Sequence, residues 1–203
     1  QEKTFFQSQL ILYDLIVAHR HFVIHKPWGM ISQFINPAKR KKKLLGDLYS
    51  FPKGTMAIGR LDVPSEGLLL LTTDGKVSAE IRGGKYEKEY YVQLDGNITE
   101  EAIEKLKKGV EIGFNGTKYI TKPGKAFAIK DPKFPLRSQK IRDERHGPTS
   151  WISIIIREGK FRQVRKMTAA VGFPTLRLVR IRIGEITLGN LAVGEVLEVK
   201  KFN

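Results

Sequence analysis

An aspartate beside an apolar run is the residue best placed to do chemistry in this chain. Residues 59–67 read Gly-Arg-Leu-Asp-Val-Pro-Ser-Glu-Gly, and the run 67–73 is of strand length. A run of this kind fits a central strand covered on both faces, which would hold Asp62 on a rigid mount. The same pattern fits a surface turn with a salt bridge. If Asp62 and Glu66 converge, it also fits the acid and base of a glycoside hydrolase.

A second stretch concentrates positive charge where a predicted strand turns into a predicted helix. It carries Arg157, Lys160, Arg162, Arg165 and Lys166. These cations fit either a solvated helix face or a phosphate-binding surface. An arginine of this group turned inward would keep a neighbouring carboxylate ionised.

Two adjacent aromatic residues, Tyr90 and Tyr91, begin another predicted strand. Neighbouring side chains on a strand point to opposite faces, so one ring is expected in the core and the other is available to a partner. An aromatic ring that faces a site can stack on an unpaired base.

The remaining pattern predicts an α+β fold, because strands and helices are mixed without regular βαβ alternation. Strands are predicted at 21–25, 67–73, 90–94, 110–112, 118–121, 151–157, 176–186 and 195–199. Helices are predicted after the N-cap Thr99 as far as Gly109, at 162–171, and as a short piece at 44–48. Asp74-Gly75 is expected to form a turn, and 130–149 a long surface loop.

Composition points to a polyanionic partner. Lys and Arg number 36 against 21 Asp and Glu, which gives a net charge of +15, and the pI is about 10.0. Lys and Arg displace condensed counterions from phosphates, so such an excess favours nucleic acid. The absence of Cys excludes disulfides, thiolate metal sites and cysteine nucleophiles. No apolar run of about 18 residues is present, so we expect a cytoplasmic protein without a membrane partner.

Three motifs, in this order along the chain, resemble those of the RsuA/RluB/RluE/RluF family of rRNA pseudouridine synthases. They lie at 59–72, 88–90 and 158–167, and the residues at 25–29 are similar to the family's opening Lys-Pro motif. Pro148–Trp151 and Gly172–Leu178 resemble the RluE branch, which modifies 23S rRNA.

This resemblance implies the pseudouridine synthase fold, a mixed and mainly antiparallel sheet in two lobes flanked by helices and loops. The catalytic domain is expected at 21–203, with lobes of about 21–95 and 96–203. Residues 1–20 are treated as an extension of unknown role, and no S4-type RNA-binding domain is expected.

The resemblance also implies the reaction, the isomerisation of a uridine within RNA. The N1–C1′ bond breaks and C5 rejoins C1′, so neither a metal nor a redox or nucleotide cofactor is expected. Asp62 would act at the ribose, by attacking C1′ or by removing the C2′ proton, with Arg165 as its counter-ion. Tyr90 would stack on the uracil. Arg60 would support the flipped nucleotide, and Leu178 would line the pocket.

Further cations are expected to contact the RNA backbone without reading sequence. They are Lys39, Arg40, Lys41, Lys42, Lys43, Arg162, Lys166 and Arg177. The substrate would be 23S rRNA, either naked or in a pre-ribosomal particle, and a monomer is the default expectation. The main alternative is a non-catalytic rRNA-binding or ribosome-assembly protein on the same scaffold.

Overall fold

The computed structural model describes residues 19–36, 42–142 and 144–202. Within these ranges the chain forms eleven strands, three α-helices and two 3₁₀ turns, which confirms the α+β class. The strands are β1 (His21–Lys26), β2 (Met56–Ala57), β3 (Glu66–Thr72), β4 (Lys88–Asp95), β5 (Glu111–Phe114), β6 (Thr117–Ile120), β7 (Lys125–Ile129), β8 (Thr149–Ile156), β9 (Thr175–Ile183), β10 (Ile186–Thr187) and β11 (Val196–Val199). The helices are α1 (Gly75–Arg82), α2 (Glu100–Lys108) and α3 (Gln163–Ala170), and the 3₁₀ turns are Leu45–Asp47 and Glu144–His146.

One large sheet organises the described chain, in the order β11-β1-β3-β9-β4-β8-β7. β10 adds to β9 and β2 adds to β3, while β5 and β6 form a separate hairpin. β3 and β9 run parallel, and the other paired strands are antiparallel. The mixed, mainly antiparallel sheet is therefore as expected.

One sheet includes strands from both of the expected lobes, 21–95 and 96–203. β9 lies between β3 and β4, and β11 pairs with β1, so strands from the C-terminal half of the chain complete the N-terminal half of the sheet. Strand order depends on long-range pairing, which local sequence pattern does not encode.

The apolar run is a central strand, as its composition predicts. Every residue of β3 is buried. Leu68 and Leu70 pack in one hydrophobic cluster, and Leu69 and Leu71 in another. Successive side chains of a strand point to opposite faces, so the unbroken run of leucines reflects a sheet that is covered on both sides.

A glycine is required where this strand meets β9. Gly67 has a φ of +101°, and a Cβ at this position would lie 2.3 Å from the backbone oxygen of Arg180. Only a residue without a side chain allows the two strands to approach this closely.

The α2 helix begins and ends where its sequence predicts. The Thr99 side chain accepts a hydrogen bond from the backbone N–H of Ala102, and Gly109 follows the last turn with a φ of +101°. The Asp74-Gly75 prediction was wrong, because Asp74 is the N-cap of α1 and its carboxylate accepts from the N–H groups of Lys76 and Val77. A short polar helix with an aspartate N-cap has the same local sequence as a turn.

The remaining elements include several that the sequence pattern did not predict, among them β2 and the 3₁₀ turn at Glu144–His146. Asn115 and Gly116 both have positive φ and close the β5–β6 hairpin, as this residue pair favours. β7 was not predicted, and the expected strand at 176–186 breaks into β9 and β10 at Gly184. None of the helices in the described ranges combines the length and apolar character needed to span a bilayer.

Candidate active site

The loop that carries Asp62 is fixed by hydrogen bonds from the segment that follows β1. The N–H of Gly29 donates to the carbonyl of Val63 at 2.9 Å, and the N–H of Ser65 closes a turn on the carbonyl of Asp62 at 3.0 Å. The backbone of the loop is therefore fixed both by the neighbouring segment and by a hydrogen bond within the loop itself.

Ser32 adds a second restraint, which the sequence interpretation missed. Its hydroxyl is buried, donates to the carbonyl of Leu61 at 2.8 Å and accepts from the N–H of the same residue at 3.1 Å. The peptide groups beside Asp62 are thereby satisfied away from water. A serine 29 positions upstream carries no local signal of this role.

Lys26 anchors the other end of the loop from the core. Its side chain is fully buried, and its ammonium donates to the carbonyls of Ser65 at 2.8 Å and Pro27 at 2.9 Å. Burial lowers the pKa of Lys26 to about 7, although the nearby carboxylates of Glu66 and Asp62 act in the opposite direction. Burial disfavours the positive charge at this position, and the carbonyl groups around the ammonium offset part of that cost.

This lysine makes stability depend on pH. The unfolded chain holds the Lys26 proton up to its ordinary pKa of 10.5, whereas the folded chain releases it near pH 7. The free energy of unfolding therefore rises between pH 7 and 10 because of this group. Urea unfolding measures the free energy of unfolding of the wild type and of Lys26→Met. From pH 7 to 10, the value for the wild type should rise relative to the value for Lys26→Met. A difference that stays constant with pH would contradict the assignment.

Two arginines face the Asp62 carboxylate. Oδ2 of Asp62 lies 3.4 Å from Nη1 of Arg162 and 3.6 Å from Nε of Arg165. Burial lowers the pKa of Arg165 to about 10, to which the neighbouring Arg162 also contributes, while Asp62 opposes the shift. Arg165 is thus still protonated at neutral pH and is a permanent counter-ion for the carboxylate.

Arg165 is held in place by the loop that it faces. Its Nη2 donates to the carbonyl of Pro64 at 2.9 Å and to the hydroxyl of Ser65 at 3.2 Å. Its side chain is 11% exposed, against 39% for Arg162. Arg165 is therefore largely shielded from solvent, whereas Arg162 is accessible to a ligand.

Arg162 reaches Asp62 from an unfavourable backbone conformation. It precedes α3 with a φ of 53° and a ψ of 31°, in the left-handed region. This region costs a residue with a Cβ roughly 1–2 kcal/mol. The surrounding contacts must offset that cost.

A cavity of about 330 Å³ opens beside Asp62. Tyr90 and Leu178 are buried in its wall, and Arg60 is exposed at its rim. The volume lies at the lower end of the range for small-ligand sites and suits a single nucleoside. The charged lining residues are Arg60, Arg82, Lys88, Arg157, Lys160, Arg162 and Arg180, with Asp62 and Glu158 as the acids.

The cavity is therefore suited to an anionic ligand that carries one flat, partly apolar group. In the described ranges, no cluster of three or more His, Asp or Glu side chains is placed to hold a metal ion.

Comparison with known proteins identifies the family. Residues 20–170 match the model of the RNA pseudouridylate synthase family. The chain belongs to this family. The match includes Asp62, Tyr90 and Arg165, the three residues that the sequence motifs single out.

Relatives extend over most of the chain. The ribosomal large subunit pseudouridine synthase E of Vibrio parahaemolyticus is 43% identical over 88% of this chain and 73% of its own length. The enzyme of the same name from Xanthomonas axonopodis is 37% identical over 84% and 88%. The synthase B of Bacillus subtilis is 31% identical over 88% and 67%.

Solved structures agree with the fold. A crystal structure of a pseudouridylate synthase covers 89% of this chain and 70% of its own chain, with a TM-score of 0.71 and 28% identity. A Cbf5–Nop10–Gar1 complex matches at a TM-score of 0.52 and 14% identity, a likeness of fold alone.

In this pseudouridylate synthase, some of the residues predicted from sequence meet at the cavity or at Asp62, and the others lie elsewhere. The members that meet at the cavity or at Asp62 are Asp62, Tyr90, Arg165, Arg162, Arg60 and Leu178. Tyr91 points to the opposite face of the sheet, where its ring lies 6.2 Å from that of Phe134. The expected division of the two tyrosines between faces is thus observed.

Arg177 is the clearest correction to the expected RNA contacts. It is buried, and its guanidinium donates to both carboxylate oxygens of Glu66, at 2.9 and 3.0 Å. A guanidinium engaged in this way is not available to phosphates. The same contact removes Glu66 as an acid–base partner of Asp62, because its carboxylate is occupied by Arg177.

The other predicted RNA contacts lie elsewhere. Lys166 donates to the carbonyl of Gly113 at 2.7 Å, on the β5–β6 hairpin. Lys42 and Lys43 are exposed, at the start of the segment before the Leu45–Asp47 turn. Lys39, Arg40 and Lys41 lie outside the described residues.

Proposed function

We propose that this enzyme converts a uridine of 23S ribosomal RNA to pseudouridine, with Asp62 as the catalytic carboxylate. The observation that carries the proposal is the Asp62 carboxylate, paired with two arginines at a cavity walled by Tyr90. The choice of large-subunit rRNA follows the names of the relatives that are 36–43% identical.

The chemistry requires an ionised carboxylate close to the ribose. The N1–C1′ bond breaks, the uracil turns, C5 bonds to C1′, the C5 proton leaves and N1 gains a proton. Arg162 and Arg165 stabilise the negative charge of Asp62 in a half-buried setting, whichever of C1′ and the C2′ proton it attacks. Tyr90, which lines the same cavity, would provide a flat surface for the uracil.

A base must leave its stack to enter this cavity, which costs a few kcal/mol. The exposed Arg60 is placed at the rim to support the vacated position or a flanking phosphate. Lys42 and Lys43, together with Lys39, Arg40 and Lys41, which lie outside the described residues, would contact the RNA backbone. Such contacts supply affinity and no sequence choice. We also propose that the protein acts as a monomer in the cytoplasm.

Release of tritium from RNA labelled at uridine C5 tests the activity. The wild type should release label from rRNA of its own species, and pseudouridine mapping should find one site that is unmodified when the gene is deleted. Naked 23S rRNA and pre-ribosomal particles are compared as substrates. A protein that binds rRNA tightly and releases no label from either would favour the non-catalytic assembly role instead.

A further inference from the structure

The turn between β8 and α3 places Arg162 in the left-handed region and its guanidinium against Asp62. Arg162 has no side-chain cap of its own at the start of α3. A non-glycine residue keeps this conformation only where its surroundings over-determine it. The contacts around the turn are therefore part of the active site.

Gln163 closes the turn from inside the protein. Its side chain is buried, its Oε1 accepts from the N–H of Lys160 at 2.9 Å, and its Nε2 donates to Glu158 at 2.6 Å. The backbone N–H of Gln163 also donates to the carbonyl of Lys160 at 3.1 Å. The side-chain amide of Gln163 thus links the backbone of Lys160, two residues before Arg162, to the carboxylate of Glu158.

Glu158 in turn joins the turn to the β5–β6 hairpin. Its Oε2 accepts from the hydroxyl of Tyr119 at 2.6 Å, and its Oε1 accepts from the N–H of Lys122 at 2.8 Å. Lys160 adds a cation–π contact, with Nζ 4.9 Å from the centres of the Phe114 and Tyr119 rings. The hairpin belongs to no larger sheet, and these contacts tie it to the turn beside the site.

We propose that Glu158 is a positioning residue of the synthase, acting through Gln163 to hold Arg162 against Asp62. The carboxylate accepts three hydrogen bonds, from a hydroxyl, a backbone N–H and an amide, and only a carboxylate can accept all three. The β5–β6 hairpin, through Tyr119, holds the Glu158 carboxylate in position, and we call this support the brace. This inference rests on the proposed function for its kinetic test.

Glu158→Gln replaces one acceptor oxygen by an NH₂ group, which must face a donor in this network. In the tritium-release assay we expect kcat to fall about 10- to 100-fold, since a small misplacement of a catalytic group has effects of this size. KM for RNA should stay within about twofold, because the cations other than Arg162 keep their contacts with the RNA backbone. Glu111→Gln, which breaks an exposed pair with Lys118 on the same hairpin, is the matched control and should leave both values unchanged.

A double-mutant cycle separates positioning from general destabilisation. If Glu158 acts through Arg162, then Glu158→Gln should cost little further activity in an Arg162→Ala background. Equal losses in both backgrounds would overturn the proposal. Tyr119→Phe is the substitute variant if Glu158→Gln does not fold. It removes only one hydroxyl of the network, so kcat should also fall, by a smaller factor.

Hydrogen exchange tests the brace independently of activity. Amides of residues 159–165 should exchange faster in Glu158→Gln than in the wild type, and at the wild-type rate in Glu111→Gln. Unchanged exchange in Glu158→Gln would refute the inference even if the enzyme proves active. A wild type that releases no tritium would instead refute the proposed function. The hydrogen-exchange result would then be the test of whether Glu158 holds residues 159–165 in place.

Discussion

Asp62→Asn will abolish tritium release while RNA binding is retained. The substitution keeps the shape of the side chain and removes the charge that Arg162 and Arg165 pair with, at 3.4 and 3.6 Å. An amide can neither attack C1′ nor accept the C2′ proton as a carboxylate does, so turnover should fall by at least roughly 10³-fold. Single-turnover tritium release measures the loss. Fluorescence anisotropy of a labelled rRNA fragment measures binding.

The control for this substitution is Asp131→Asn, which makes the same change of charge on an exposed loop where Asp131 pairs with Lys133. It should leave turnover unchanged. Binding by Asp62→Asn should equal or exceed that of the wild type, because Arg162, the more exposed of the two arginines, loses its carboxylate partner and becomes available to phosphates. Turnover within about tenfold of the wild type would remove Asp62 from the chemistry.

The parts of this fold that sequence predicts are those in which the local pattern and the tertiary environment agree. The leucine run of β3 reads as a strand covered on both faces, and it is one. Thr99 and Gly109 delimit α2 because an N-cap oxygen and a glycine of positive φ act within a single turn. The same locality explains the hairpin at Asn115-Gly116.

The supports of the site were not predictable in this way. Ser32 and Lys26 act on a loop 29 to 39 positions away, and Glu158 acts on the hairpin 36 to 39 positions before it. A single buried serine or lysine has no periodicity to identify it. The motifs identified the residues around the cavity, and the contacts that fix them depend on which strands pair.

Arg177 illustrates the same limit for charge. An arginine in a basic, strand-like stretch is expected at the surface, since arginine is seldom fully buried without a partner. Its partner, Glu66, is 111 positions away and on the parallel neighbour of its strand. Sequence spacing does not reveal such a pairing.

Arg177→Met will destabilise the protein by about 3–5 kcal/mol, because it leaves the carboxylate of Glu66 buried without its counter-ion. The side chains of Arg177 and Glu66 are 6% and 1% exposed. The lost guanidinium also donates to the carbonyl of Pro135, within the 130–148 loop. Urea unfolding followed by circular dichroism measures the change. The double variant Glu66→Leu/Arg177→Met should recover most of the loss, since neither charge then remains in the core.

Arg20→Met is the matched control. Arg20 pairs with Glu198 in an exposed position, so its removal should lower the free energy of unfolding far less.

RNA binding distinguishes the two roles considered for Arg177. A phosphate contact would reduce the salt slope of binding by about 1 when the arginine is removed. If Arg177 only forms a buried pair with Glu66, its removal should leave the salt slope of RNA binding unchanged in the folded variant, and this is the result that we expect. A reduced slope together with wild-type stability would return Arg177 to the RNA interface.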